Sequence, residues 1–423
     1  MAISQSERDE LEFQLGQYFK PNMPINREDL FSGRQAQCQD VLSAINQQGQ
    51  HVILYGERGV GKTSLANMLM FRLRNPGGRV LAPHINCAGN SDYSTIWKAL
   101  LDDIAYRSEK AGEKLPRSVA KLIHEFENGL RVDFSPELAR RVMIDLVDDD
   151  ATLCVVLVVD EFDTMKDAES REAMAETIKY FSDRNVPATI VLIGVADDVD
   201  SLIEEHQSIE RCVAQVRMPR MSRDEVEMII TSGLEKTGME IDKAGLHEIS
   251  RIAIGLPHYA HLLGLHSGRC ALQEMSKQIH QTHVSAAVRV ATGKAQVTIH
   301  NAYKRATIST KKNALYKQVL VACAMAETDE FGYFSPADVR EPLERILKRE
   351  YGIEAFARHL HAFSESDRGP VLKKADWVNR PRFRFENPLM QPFVLMKGME
   401  DGIITDADLQ ATRDPNDAQG RLF

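Results

Sequence analysis

What the sequence withholds narrows it first. Its six cysteines, Cys38, Cys87, Cys154, Cys212, Cys270 and Cys323, stand singly with no CxxC pair, which excludes a zinc ribbon and fits reduced core thiols rather than a disulfide framework. No uninterrupted apolar run approaches the roughly 20 residues of a membrane-spanning helix, so no membrane partner is expected. The opening stretch MAISQSERDELEFQ is polar and acidic; it lacks the basic end and apolar stretch of a signal peptide, and a cytoplasmic protein is the simplest expectation. There is no internal repeat and no low-complexity tract, which excludes a repeat architecture.

What is present is the composition of a soluble globular protein, 43% hydrophobic and 27% charged. At roughly 100–200 residues per domain, the length calls for two to four domains. The net charge of −9 is unevenly spread: between Arg289 and Gly398 stand 19 Lys plus Arg against 12 Asp plus Glu, so the rest of the chain is strongly acidic. That asymmetry points to an anionic partner such as nucleic acid, or to an ordinary solvated surface.

The most informative stretch is HVILYGERGVGKTSLANML, residues 51–69, in which an apolar strand passes through a glycine loop into a helix. Gly56, Gly61, Lys62 and Thr63 fit GxxxxGK[ST], with Glu57, Arg58, Gly59 and Val60 inside the loop and Ser64 after it. Glycines let backbone N–H groups turn toward phosphate oxygens, and the helix beginning near Lys62 adds the positive end of its dipole. Lys62 would reach the β- and γ-phosphates, and Thr63 would join a magnesium shell.

Three further β-branched runs follow, RVLAPHINC (79–87), LCVVLVVDEFD (153–163) and PATIVLIGVADD (187–198), with helical patterns between them. Apolar strands alternating with helices predict an α/β fold with a mainly parallel sheet covered on both faces. Asp160 ends one such strand, where ligands collect in open α/β sheets. It would hold the metal while Glu161 acts on the attacking water. Asp163 reads as a solvated turn residue.

This order of phosphate loop, acidic strand, further strand and helices resembles an AAA+ ATPase over residues 25–290, and a C-terminal winged helix extends the likeness toward replication initiators, transposition regulators of TnsC type and STAND signalling ATPases. The resemblance implies a P-loop NTPase αβα sandwich over residues 1–220, with a helical lead-in. A helical lid domain over 221–303, a winged helix-turn-helix domain over 304–398 and a flexible tail over 399–423 would follow. DLFSGR would close over adenine. Asp197 stands where the family places sensor 1, and Arg211 where it places the arginine finger, with Arg217 and Arg220 as competitors. His258 follows the Gly-x-Pro of the sensor-2 segment in place of the usual arginine. His258, His261 and His266 also suggest a metal set, but no Cys or acid completes it.

In the C-terminal part, IEAFARHLHAFSES would be a recognition helix and RPRFRFE a wing strand. Arg358, His359, Lys373, Lys374, Arg380, Arg382 and Arg384 would then contact phosphates, while Phe356, Leu360 and Phe363 have core spacing. The expected function is an ATPase that binds ATP with Mg2+ and assembles into a homo-oligomer as a nucleotide-dependent switch. DNA is its expected platform through the C-terminal domain. The alternative is a STAND-like signalling or antiphage-defence switch that senses a protein partner and activates a separate effector, since the chain carries no nuclease, protease or deaminase motif of its own. Protein remodelling ranks last, because no aromatic pore loop is evident.

Overall fold

The computed structural model describes residues 3–73, 79–130, 132–148, 152–195, 207–311, 314–329, 331–377 and 380–410. Its centre is a parallel sheet of β1 (His51–Tyr55), β2 (Val80–Leu81), β3 (His84–Asn86), β4 (Cys154–Asp160), β5 (Ala188–Gly194) and β6 (Val213–Arg217). The order is β2-β4-β5-β1-β6, with β3 also on β4, so the edge run 79–87 is broken into two short strands on one neighbour. Nearly every residue of β4 and all of β5 are buried. Continuous apolar runs are what a parallel sheet covered on both faces demands.

The period of two along each strand divides the interior. Val52, Leu54, Val156, Val158, Val191 and Ile193 face one core, whereas Ile53, Val155, Leu157, Val159, Ile190 and Leu192 face the other. The second core is covered by α4 (Tyr93–Lys110), α5 (Arg117–Glu127), α6 (Pro136–Asp148) and α7 (Ala168–Asp183). The first continues past α2 (Gln35–Ile45) and α3 (Lys62–Arg72) without interruption into the C-terminal half.

After β6 come α8 (Arg223–Glu235), α9 (Lys243–Ala253), α10 (Pro257–Gln273) and α11 (Gln281–Lys294). Ser222 starts α8 by a capping box with Glu225, which satisfies backbone donors at the helix start. The N-terminal helix α1 (Gln5–Tyr18) lies on α10 and α8. Phe19, just beyond it, occupies the space left by Gly233 and Gly264, where an added Cβ would stand 2.6 and 2.5 Å from its ring. This plug fixes where the lead-in chain crosses toward the phosphate loop.

The remaining elements are α12 (Val297–Thr307), α13 (Tyr316–Met325), α14 (Pro336–Leu347), α15 (Ile353–Ser364), an antiparallel hairpin of β9 (Leu372–Trp377) and β10 (Arg380–Phe385), and α16 (Met390–Glu400). The small strands β7 (Glu240–Ile241) and β8 (Gln278–Ile279) pair with each other in parallel. Two expectations are corrected. The boundary at 303/304 falls inside α12, which packs on α13 and α16 as part of the C-terminal unit. Nor is the chain loose over 399–410: Ile404 and Leu409 are buried, and Asp406 pairs with Arg251 of α9 at 2.6 Å and accepts from Gln281 of α11; the rest of the expected tail, 411–423, lies outside the described residues. Charge at 399–410 misled the sequence reading, because the partners lie far away along the chain. Among the described residues no helix is long and apolar enough to cross a membrane.

Candidate nucleotide site

The parallel strands all end on one edge of the sheet, and the loop from Gly56 to Gly61 turns there between β1 and α3. Gly56 sits at φ 152°, and a Cβ on it would lie 2.4 Å from the Met218 carbonyl oxygen; Gly59 and Gly61 have φ of 87° and 99°. Only glycine adopts such backbone without cost. Val60 is buried, and its carbonyl accepts from the buried Arg34 at 3.1 Å.

Lys62, the first residue of α3, directs its ammonium at the carbonyls of Gly56 and Glu57, at 2.9 and 2.8 Å. Burial pulls its pKa down to about 8 despite the opposing charges of Asp163, Asp160 and Glu57. A buried cation that is incompletely neutralised stabilises an incoming anion. The Thr63 hydroxyl donates to Asp160 Oδ2 at 2.7 Å, and the Glu161 backbone N–H donates to Oδ1 at 2.8 Å. Burial alone would raise the Asp160 pKa, but His84, with Nε2 3.7 Å from Oδ2, and the hydrogen bonds from Thr63 and Glu161 outweigh it and hold the group below the usual carboxylate range. Thr63 and the ionised Asp160 are thus adjacent hard oxygen donors, which fits Mg2+ with its remaining positions left to water and phosphate oxygens.

Glu161 is exposed to the cleft in a left-handed conformation, φ 55° and ψ 32°, a cost that clusters at functional sites. The cleft, about 660 Å³, is lined by Arg58, Gly59, Gly61, Lys62, Thr63, Ser64, Asp160, Glu161 and Asp163 on one side and by Pro257, His258, His261 and Leu389 on the other. Its third wall is the segment Lys20–Ile25, which the sequence reading missed. That wall is tied down by Ile25 N–H to Ser64 Oγ, by Asn67 to the Ile25 carbonyl and by a 2.6 Å contact of His258 Nδ1 with the Pro21 carbonyl. Its only sequence signal is a pair of prolines, Pro21 and Pro24, favouring extended chain. DLFSGR instead places Phe31, Ser32 and Arg34 at a smaller neighbouring cavity with Val60, Gly61 and His261.

The family model described as Novel STAND NTPase 1 matches residues 23–328. The chain belongs to that family. Its fold is likewise that of P-loop NTPases: a Walker-type ATPase of Pyrococcus abyssi superposes with a TM-score of 0.52 at 14% identity, over 89% of this chain and 99% of that one. Similar structures also include the ORC2 protein of Aeropyrum pernix, with ADPNP and ADP (TM-score 0.48, 14% identity, 97% and 99% covered), and Cdc6p of Pyrobaculum aerophilum (0.44, 14%, 92% and 99%). These identities speak for fold alone. No curated protein sequence matches the chain.

The NTPase separates the three arginines that sequence could not. Arg211 lies before β6, at the end of the sheet opposite the phosphate loop; its side chain is 70% exposed and pairs with Asp183 at 2.5 Å. Arg217 and Arg220 lie on the phosphate side and face the C-terminal unit. Arg217 stacks over Phe331 at 4.6 Å. Arg220 bonds Glu57 Oε2 at 2.7 Å and Gln391 Oε1 at 2.7 Å, and the buried Gln391 donates to the Ala324 carbonyl at 3.0 Å. Glu57 therefore serves the loop through its backbone and the C-terminal unit through its carboxylate. Leu389, from that unit, lies 3.3 Å from where a Cβ on Gly59 would stand, and its carbonyl accepts from Tyr259 at 2.6 Å. Asp197 lies outside the described residues. His258 faces the cleft with its pKa lowered by burial, only partly offset by the Pro21 carbonyl, so it stands as a neutral donor or acceptor rather than a cation.

The basic candidates of the C-terminal unit fare differently. His359 is buried on the Phe356 carbonyl and the edge of Tyr316, so the expectation that it contacts phosphate is corrected. Arg382 bonds Asp329 at 2.7 Å, and Arg384 stacks on Tyr333 at 4.8 Å. Arg358, Lys373 and Lys374 are exposed, and Phe356, Leu360 and Phe363 are core.

Proposed function

We propose that the chain is an ATP-driven switch of the signalling kind, whose C-terminal unit, a winged-helix-like module, is the output element. The observation that carries this reading is the docking of that unit on the phosphate loop, through Leu389 against Gly59 and through the Glu57–Arg220–Gln391 chain of hydrogen bonds. In this reading Lys62 exchanges its two backbone carbonyls for the β- and γ-phosphates, which alters the loop that presents Glu57 and so weakens its grip on Arg220. Thr63 and Asp160 would hold Mg2+, which would supply charge neutralisation at the phosphates, and Glu161 is placed to take the proton of the attacking water. Arg211 cannot serve its own site from the opposite end of the sheet; it completes the site of a second copy, which makes the active form a homo-oligomer. A protein partner is favoured over DNA, because several basic side chains counted toward a DNA surface are engaged within the fold.

The test is Mg-ATP turnover and particle mass measured together. Wild type should hydrolyse ATP faster as it assembles, and Arg211→Ala should bind ATP normally while losing the assembly-dependent rate. Failure of the wild-type chain to bind ATP with Mg2+ would overturn the proposal.

A further inference from the structure

Asp163 belongs to none of the roles above, yet its position is specific. β5 pairs with β4 only as far as Val159↔Leu192, whereas on its other side it pairs with β1 up to Gly194. Beyond Leu192 the ladder toward the acidic strand has ended, and there the Asp163 carboxylate accepts the Val195 backbone N–H at 2.8 Å. The turn that carries it is closed on itself: the Thr164 N–H and hydroxyl both donate to the Glu161 carbonyl, at 2.9 and 2.7 Å. Phe162 and Met165 are wholly buried beneath it.

We infer that Asp163 is a positioning residue, joining the turn that aims Glu161 to the end of β5 so that both meet the reacting phosphate in fixed register. The inference rests on the reading of this cleft as a hydrolytic site. Reacting groups displaced by about 1 Å cost on the order of 100-fold in rate, and a neutral carbonyl suffices to hold an N–H, so charge and geometry can be told apart.

The experiment compares full-length wild type, Asp163→Ala and Asp163→Asn in steady-state Mg-ATP turnover and in hydrogen exchange of the Val195 amide. Asp163→Ala should lower kcat by about 10- to 100-fold with little change in KM, and should speed Val195 exchange. Asp163→Asn, which keeps the acceptor, should recover most of the rate and the protection. Asp163→Asn as slow as Asp163→Ala, or Asp163→Ala with unchanged kcat or unchanged Val195 exchange, would overturn the assignment. A wild-type chain without turnover would instead refute the hydrolytic reading, and Val195 exchange in the two variants would still decide whether Asp163 holds the strand end.

Discussion

The phosphate-loop edge and the basic C-terminal unit both announce themselves through charged residues, but only at the first does the charge mean what it suggests. At the loop, function lies in backbone geometry that a contiguous motif enforces: Gly56 cannot carry a Cβ beneath the Met218 carbonyl, and Lys62 must start a helix. In the C-terminal unit the positive balance is a tally of side chains, and distant partners such as Asp329, Tyr333 and Tyr316 decide what each one does. A local motif survives folding intact, whereas a count of charges does not.

The largest expected effect strikes the loop. Lys62→Ala should reduce turnover by on the order of 100-fold or more, measured as phosphate release; intact turnover would break the assignment. Next is the joint between the regions. Arg220 and Glu57 have side chains only 11% and 14% exposed, and removing one partner of a buried pair costs about 3–5 kcal/mol. Arg220→Ala should therefore lower the melting temperature and expose the segment around α16 to limited proteolysis, with Glu57→Gln milder.

Acid should weaken the nucleotide-binding region. Burial holds His51 at about 4, and burial together with His258 holds His261 at about 4, against 6.5 when unfolded. Because the folded pKa lies below the unfolded one, the unfolded chain binds more protons in that window. Stability should be full above 6.5 and decline as pH falls toward 4, by up to a few kcal/mol per histidine at about 1.4 kcal/mol per unit. Melting temperature against pH checks this, and a flat profile contradicts it.

The smallest effects belong to the exposed cations. Arg358→Ala and Lys373→Ala should change stability by less than about 0.5 kcal/mol in denaturant titrations and leave any DNA affinity unaltered. A drop in affinity with a shallower salt dependence would restore DNA as the partner.

Legibility follows the same division. The alternating strands, the glycine loop and the Asp160–Glu161 pair could be read because each depends on neighbours in sequence. The Lys20–Ile25 wall could not, since its place comes from Phe19 filling a gap left by Gly233 and Gly264. Arg220 was only one of three similar arginines until Gln391, far along the chain, came to rest against it. The 399–410 stretch looked polar and loose because Arg251, which answers Asp406, lies in another helix.

The central claim is that nucleotide at the loop controls the grip on the C-terminal unit, and hydrogen exchange along Met390–Glu400 tests it most directly. Exchange there should rise when Mg-ATP binds wild type, stay low in Lys62→Ala, and be high in Arg220→Ala without nucleotide. Equal exchange with and without bound Mg-ATP in the wild-type chain would contradict the account.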